Sequence, residues 1–287
     1  MNSIRPVIKD IFGASAEVKS FTPVSGGSIS GSYFAEINNG KSLFIKKNRI
    51  GPENLFKCER NGLAALKSSG ARVPEVYKVF IDAGHQYIIM QYIERTSQSK
   101  SSDYNFGKEL AELHAKDAGD KYGFHENNYI GANRQFNDYS SSWVSFFGNM
   151  RLGHQLKLAQ SNNYLTDHEV SLFFSLIEKL ESFIPEDKPS LIHGDLWGGN
   201  YINSAEGCYL IDPAVYLGSR EADIAMTELF GGFSNDFYKG YNDVFPLDRG
   251  YRERKDIYNL YHILNHLNLF GLSYKNQALS IAKRYVL

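Results

Sequence analysis

The ten residues from Leu191 to Asn200 constrain this chain more than any other stretch, because they place an aspartate and an asparagine five positions apart in a short polar segment. The segment follows Leu191 and Ile192, the end of an apolar run with strand character. Asp195 could accept a proton from a hydroxyl group, and the side-chain oxygen of Asn200 could bind a hard cation. Asp, Gly and Asn also favour turns, so an ordinary turn remains the alternative for this stretch alone.

A predicted hairpin follows directly and brings a second acidic side chain to the same place. Residues 201–202 and 208–211 have strand composition and are separated by a turn signal. Because a hairpin brings its two ends together, Asn200 before it and Asp212 after it should meet beside Asp195. Two oxygen ligands for one hard cation, next to a possible base, suit Mg²⁺–phosphate chemistry. We therefore predict Asn200 and Asp212 as Mg²⁺ ligands and Asp195 as the catalytic residue.

The first part of the chain predicts a small β-rich region that could cover phosphate groups. A Gly- and Ser-rich loop with Gly26 and Gly27 precedes two strand-like segments, 33–37 and 42–46, joined by an Asn-Asn-Gly turn. Glycine lets backbone N–H groups approach phosphate oxygens, so we predict that Gly26 and Gly27 bind a nucleotide. The loop is neither a Walker A motif nor a strict GxGxxG motif, and a plain hairpin is the alternative.

A lysine and a glutamate in this region are predicted to form an ion pair. Residues 53–69 have helical composition, and Glu59 falls on the same face as Leu55 and Leu63. A carboxylate on an otherwise apolar face needs a buried partner, and Lys46 at the end of the preceding strand is the candidate. Such a pair would direct the ammonium group towards nucleotide phosphates. The alternative is a Glu59 side chain that lies in water at the helix edge.

Two further predicted strands, 76–81 and 86–93, complete the β-rich portion before a Ser-rich polar segment and then a helical pattern. We predict two domains, a nucleotide-binding lobe of residues 1–93 and a catalytic and substrate-binding lobe of residues 94–287. A strand that becomes a connector between lobes exposes backbone groups that an adenine edge can use. The predicted adenine connector consists of Met90, Gln91, Tyr92 and Ile93, in which Met90 and Ile93 could flank the ring. The alternative for each of these two apolar residues, taken singly, is a place in the core.

Composition excludes several classes of protein. The 287 residues are 43% hydrophobic with a formal net charge of −1, so no basic excess indicates a nucleic-acid partner. The two cysteines, Cys58 and Cys208, have neither disulfide-framework nor zinc-site spacing. The N-terminal residues contain no long apolar segment, and no apolar run reaches membrane-spanning length. We therefore expect a cytoplasmic protein with no nucleic-acid or membrane partner.

These residues together resemble the fructosamine-3-kinase (ketosamine kinase) family, a branch of the aminoglycoside-phosphotransferase-like part of the kinase superfamily. The resemblance implies an α+β, two-lobed protein-kinase-like fold. It also implies a deglycation kinase that uses ATP and Mg²⁺ to phosphorylate a sugar hydroxyl of a ketosamine, either free or protein-bound. The resemblance covers most of the chain and is most specific at residues 191–200, 211–216, 219–233 and 127–131. Residues 143–147 and 151–153 are also similar to the family.

The resemblance also implies roles for single residues. Asp195 would be the base, and Asp223 would be structural and brace the catalytic loop. Lys46 and Glu59 would be the phosphate-lobe pair. The residues assigned to the substrate side are His193, Trp197, Asn128 and Tyr129.

One departure from the family concerns Gly199, where the family usually has Ser, so a hydroxyl group is lost from the catalytic loop. The protein-kinase signatures Asp-Phe-Gly and Ala-Pro-Glu are absent from the sequence, which argues against a protein kinase. The alternative enzyme is a kinase of another amine-bearing small molecule, such as an aminoglycoside or a choline-like alcohol. A kinase-like binding module without activity is the third hypothesis, and the presence of all the polar site residues argues against it.

Overall fold

The computed structural model describes residues 3–24, 31–49, 51 and 54–286. A five-stranded antiparallel sheet forms the first part of the chain, with the strand order β1-β2-β3-β5-β4. A short helix, α1 (Ile4–Phe12), precedes it, and α2 (Leu55–Ser68) lies between β3 and β4. The strands are β1 (Val18–Val24), β2 (Gly31–Ile37), β3 (Ser42–Arg49), β4 (Val76–Asp82) and β5 (His85–Gln91).

The alternation of side chains along β3 explains why Lys46 points towards α2. Leu43 and Ile45 are buried on one face, in a cluster that includes Ile8 of α1. Phe44 and Lys46 lie on the other face, since successive strand residues point to opposite sides. That second face packs against α2 and the main core. The register of β3 therefore decides which way the lysine points.

The predicted hairpin of β2 and β3 and the strands β4 and β5 are confirmed. The sequence analysis did not predict β1, which pairs with β2 at the edge of the sheet. Pro23 lies within β1, and proline is tolerated on an edge strand because no ladder hydrogen bond is needed on the outer side. The burial of β1 also does not alternate cleanly, so its sequence carries no strand period.

The second part of the chain is mainly helical. Between α4 and α5 the chain passes through a π-helical segment, Phe147–Gly153. The α-helices are α3 (Lys100–His114), α4 (Trp143–Phe146), α5 (His154–Ser161), α6 (Asp167–Glu178), α7 (Arg220–Leu229), α8 (Asn235–Val244), α9 (Tyr251–Phe270) and α10 (Lys275–Val286). Short strands form three two-stranded sheets: β6 (Asn128–Ile130) with β7 (Asn133–Gln135), β8 (Ser190–Ile192) with β11 (Tyr216–Gly218), and β9 (Tyr201–Ser204) with β10 (Gly207–Leu210).

Side chains cap the N-termini of helices α6 and α3 in this part. The capping box from Thr166 to Glu169 is present at the start of α6. Ser99, rather than Asp103, caps α3 through a reciprocal bond with Ser102. Asp103 lies in the first turn of α3, where its negative charge interacts favourably with the positive end of the helix dipole. Helices α8 and α10 were not predicted.

Along the described residues, no helix is both long enough and apolar enough to cross a membrane.

Candidate active site

Asp223 of α7 holds the loop that follows β8. The backbone N–H groups of His193 and Gly194 donate to its two carboxylate oxygens at 2.6 and 2.8 Å. Burial tends to raise the pKa of Asp223, but the His114 ring, whose Nε2 lies 3.4 Å from Oδ2, and the hydrogen bond from the Gly194 N–H outweigh it and leave the pKa below its usual value. Asp223 is therefore an ionised brace for the catalytic loop, and it does not cap α7, which begins after Ser219.

Only glycine fits at position 194. Its φ is +80°, in the left-handed region. A Cβ atom there would also collide with the carbonyl group of Ala214. The close approach belongs to the same strand contact in which the Ala214 N–H donates to the His193 carbonyl at 2.9 Å. The loop is thus attached on one side to α7 and on the other to the segment that follows Asp212.

Asp195 lies on the open side of this loop. The Asn200 amide donates to the Asp195 backbone carbonyl at 2.8 Å and to its Oδ2 at 3.1 Å. Burial and the nearby Asp212 carboxylate raise the pKa of Asp195 to about 7, although the Asn200 bond opposes the shift. A carboxylate with a pKa near neutrality is suited to act as a general base.

His262 of α9 is a neighbour of Asp195 that the sequence analysis missed. Its Nδ1 lies 4.0 Å from Asp195 Oδ1. Burial and the neighbouring His266 lower the pKa of His262 to about 3, so its ring is neutral. The spacing of His262 and His266, about one helical turn, was the available signal in the sequence.

Lys46 joins the two parts of the chain. Its Nζ lies 2.7 Å from Glu59 Oε1 and also pairs with Asp212 Oδ1. Burial alone would lower the pKa of Lys46, but the two carboxylates reverse the direction and keep the ammonium charged. The lysine and glutamate that the sequence analysis paired are therefore in contact, and Asp212 from the far end of the chain joins them.

The hairpin of β9 and β10 places Asn200 and Asp212 side by side. Its strands pair from Tyr201 with Leu210, and the Ile211 N–H donates to the Asn200 carbonyl at 3.0 Å. Asp212 has a φ of +55°, which costs energy in a residue with a side chain and is typical of functional positions. The hairpin therefore brings Asn200 and Asp212 to neighbouring positions, as its length predicted.

The donor atoms of this pair fit a hard divalent cation. An amide oxygen and a carboxylate are oxygen ligands, and Mg²⁺ commonly takes one or two protein ligands together with phosphate oxygens and water. Among the described residues, no group of three or more His, Cys, Asp or Glu side chains could hold a metal by itself. The residues present therefore suit a metal that is shared with a phosphate ligand.

The connector of residues 90–93 is partly occupied by the sheet. The N–H of Gln91 donates to Glu75 O at 2.8 Å, and that of Tyr92 donates to Ser42 O at 3.2 Å. Met90 and Ile93 are buried, and the exposed Tyr92 ring meets Phe34 edge-on. An adenine edge would therefore have to use other backbone groups of the connector.

Gly26 and Gly27, the predicted phosphate-loop glycines, lie outside the described residues.

The residues assigned to the substrate side separate into two groups. Trp197 is 41% exposed on the catalytic loop, and Tyr129 is partly exposed. His193 is fully buried behind the loop, where its Nε2 bonds to Ile211 O at 2.9 Å. Asn128 is also buried, and its amide donates to Val215 O at 2.8 Å. Because neither buried side chain is open to the cleft, His193 and Asn128 support the site from behind.

Arg151, in the π-helical segment, fixes the region around Asn128. Its guanidinium group is fully buried and donates to Phe136 O and to Asn137 Oδ1, each at 2.7 Å. The same group stacks on the Tyr216 ring at 3.8 Å. Arg151 therefore joins the β6–β7 hairpin to the strand that follows Asp212, a role that the sequence analysis did not anticipate.

Comparison with known proteins gives one consistent result. The sequence model of the family described as fructosamine kinase matches residues 1–287. A "Probable ketoamine kinase" from Vibrio parahaemolyticus is 43% identical over 259 residues, which cover 89% of this chain and 88% of the relative. A "Protein-ribulosamine 3-kinase, chloroplastic" from Arabidopsis thaliana is 38% identical over 285 residues, which cover 96% of this chain and 85% of the relative.

Solved structures agree with this result. A "Putative fructosamine-3-kinase" from Haemophilus somnus superimposes with a TM-score of 0.90 at 30% identity, covering 99% of this chain and 97% of the other. The aminoglycoside phosphotransferase APH(4)-Ia reaches a TM-score of 0.62 at 14% identity, over 98% of each chain, a likeness of fold alone. The predicted α+β, two-lobed kinase-like fold is confirmed.

Proposed function

The chain belongs to the fructosamine kinase family, and on that premise we propose that it transfers the γ-phosphate of ATP to a sugar hydroxyl of a ketosamine, free or protein-bound. ATP is the phosphate donor of a kinase. The names of the relatives support a ketosamine acceptor over an aminoglycoside or a choline-like alcohol. The observation that carries the proposal is the contact of Lys46 with Asp212 next to a carboxylate with a raised pKa, Asp195.

The proposed roles follow from the position of each group. Lys46, which Glu59 orients, would hold nucleotide phosphates by charge. Asn200 and Asp212 would bind Mg²⁺, which when bound supplies positive charge to the phosphate oxygens. Asp195 would hydrogen-bond the acceptor hydroxyl and take its proton as the new bond to phosphorus forms and the bond to ADP breaks.

Most of the rate enhancement in this scheme comes from positioning and charge stabilisation. The Asn200 amide holds the Asp195 carboxylate at the edge of the loop, and Asp223 holds the loop itself. The proposed lobes are residues 1–93 for the nucleotide and residues 94–287 for catalysis and substrate. Their border lies in the segment between β5 and α3. We also propose that the protein is cytoplasmic.

The decisive experiment is an assay of ATP consumption by the purified protein against two panels of acceptors. The first panel contains the fructosamine, ribulosamine and erythrulosamine derivatives of lysine, and the second contains aminoglycosides and choline. We expect ADP release with at least one ketosamine, a phosphorylated sugar carbon identified by NMR, and loss of turnover with EDTA. Turnover with the second panel alone would overturn the proposed acceptor class.

A further inference from the structure

The indole ring of Trp197 packs directly on its own turn. The Trp197 carbonyl accepts a hydrogen bond from Asn200 N–H at 2.9 Å, which closes a turn with Gly198 and Gly199 in its middle. A Cβ atom built on Gly199 would collide with the six-membered part of the indole and would lie 2.8 Å from Cζ3. The space that a side chain at position 199 needs is therefore filled by Trp197.

The backbone of Gly199 does not itself require glycine, because its φ is outside the left-handed region. The requirement for glycine at position 199 comes from the Trp197 indole ring alone. Any side chain at this position must either displace the indole or move the turn.

The turn cannot easily move, because its opposite side touches another backbone segment. A Cβ on Gly198 would lie 3.2 Å from both Gly231 O and Gly232 Cα, in the loop after α7. The Asn200 end is also bonded to Asp195 and to Ile211 N–H. With the turn held on both sides, a side chain at position 199 should displace the indole.

Trp197 lies on the same loop as the proposed base. It follows Asp195 by two positions, and its backbone N–H donates to the Asp195 carbonyl at 3.2 Å. Trp197 is 41% exposed, so part of the apolar indole surface is available to a ligand bound at this loop.

We propose that Gly199 is a specificity-determining residue: it lets the Trp197 indole pack flat on the catalytic turn and so sets the wall of the acceptor site beside Asp195. The inference rests on the proposed function, since the wall is read as a surface for the sugar of a ketosamine. Gly199 acts through Trp197 and has no contact of its own with the acceptor.

The test is a double-mutant cycle of Gly199→Ala and Trp197→Ala, with KM measured separately for a ketosamine and for ATP. We expect Gly199→Ala to raise the ketosamine KM by about tenfold, the size of effect that one methylene has in a binding pocket. The KM for ATP should not change, because the indole lies on the acceptor side. In the Trp197→Ala background the same substitution should have no further effect on the ketosamine KM, because no ring remains to be displaced.

Tryptophan fluorescence supplies a readout that does not depend on turnover. The chain has two tryptophans, and Trp143 is fully buried, so quenching by acrylamide reports mainly on Trp197. Gly199→Ala should increase the quenching, since the displaced ring loses its contact with the turn. If this variant does not fold, Trp197→Phe alone should raise the ketosamine KM and leave the ATP KM unchanged.

Three results would overturn the inference. They are unchanged quenching in Gly199→Ala, increased quenching with an unchanged ketosamine KM, and an equal effect of Gly199→Ala with or without Trp197. Failure of the proposed function looks different: the wild-type protein would phosphorylate no ketosamine. The quenching measurement would then still decide whether Gly199 positions the ring.

Discussion

Asp195 and Asp212 are neighbouring carboxylates with different surroundings. Asp212 is paired with the Lys46 ammonium. Asp195 accepts a hydrogen bond from the neutral Asn200 amide and lies beside the neutral His262 ring, and neither neighbour carries a positive charge. Burial and the Asp212 carboxylate therefore raise the pKa of Asp195 to about 7. These different environments suit the proposed roles of Asp195 as the proton acceptor and of Asp212 as a cation ligand.

Replacing the proposed base should separate turnover from binding. Asp195→Asn keeps the size of the side chain but cannot accept the acceptor proton as a carboxylate does. We expect turnover to fall by about a thousandfold, within the usual range for loss of a general base. Nucleotide binding, measured by equilibrium dialysis with a labelled ATP analogue, should stay within twofold of the wild type. Full turnover in this variant would refute the role of Asp195.

At the scale of elements, the site depends on segments that are packed unusually closely. Helices α3 and α8 touch backbone to backbone. A Cβ on Gly107 of α3 would collide with Phe237 O, and one on Gly240 of α8 would collide with Tyr104 O. Since α3 also packs against β8, which leads into the catalytic loop, this contact supports the loop from the rear.

Enlarging either glycine should separate the two helices. Alanine normally stabilises a helix interior by about 1 kcal/mol relative to glycine. We expect Gly107→Ala to destabilise the protein instead, by about 3 kcal/mol, because overpacking against backbone cannot be relieved by a rotamer change. Thermal denaturation measures the effect, and Asn105→Ala, at an exposed position of the same helix, is the matched control. An unchanged or higher melting temperature for Gly107→Ala would contradict the close contact.

The β6–β7 hairpin offers a second prediction at this scale. Arg151→Lys keeps the positive charge but loses the fork that reaches Phe136 O and Asn137 Oδ1 together. We expect a loss of about 2 kcal/mol of stability, the typical worth of a hydrogen bond from a charged group.

Because this hairpin carries Tyr129, Arg151→Lys should also raise the ketosamine KM more than the ATP KM. Arg134→Lys, on the exposed side of the same hairpin, should change neither quantity. Equal increases in both KM values for Arg151→Lys would argue that the hairpin does not belong to the acceptor site.

At the scale of the whole molecule, an ion-paired cluster connects the five-stranded sheet to the second part of the chain. Lys46 on β3 meets Glu59 on α2 and Asp212 from a position 166 residues further along the chain. Beside it, Gly62 of α2 packs against Pro213 and Val215. The proposed nucleotide cleft thus lies at the same contacts that join the sheet to the second part of the chain.

Removing the Lys46 ammonium group from this cluster should destabilise the protein even in the absence of ligands. Lys46→Met leaves Glu59 and Asp212 without their counter-charge, and losing one partner of a buried pair costs about 3–5 kcal/mol. Lys78→Met removes an exposed pair with Asp10 and should cost less than about 1 kcal/mol. The two melting temperatures are compared without nucleotide or metal.

The pH dependence of the Lys46→Met variant has a definite sign. Burial raises the pKa of Glu59 in the folded protein and Lys46 opposes that rise, so without the lysine the pKa of Glu59 should rise further above its value in the unfolded chain. Protonation of Glu59 therefore favours folding of the variant, and the loss of stability should be smaller at pH 5 than at pH 8. A loss that grows as the pH falls would contradict this account.

Patterns that are local in the chain were sufficient for much of the site. The spacing of Asp195 and Asn200, the hairpin that returns at Asp212, and Glu59 on an apolar helix face each follow from the short-range geometry of turns, strands and helices. These patterns predicted the contact of Lys46 with Glu59 and the meeting of Asn200 with Asp212, both of which the structure contains.

Contacts between distant segments were decided only by the tertiary structure. The approach of His262 to Asp195, the burial of His193 and Asn128, and the position of Arg151 all depend on which helix packs where. The sequence places polar residues at these positions but does not determine their burial, because burial is set by neighbours far along the chain. By itself the sequence therefore determined which side chains could do the chemistry, and the packing of the two lobes decided which of them face the cleft and which support it.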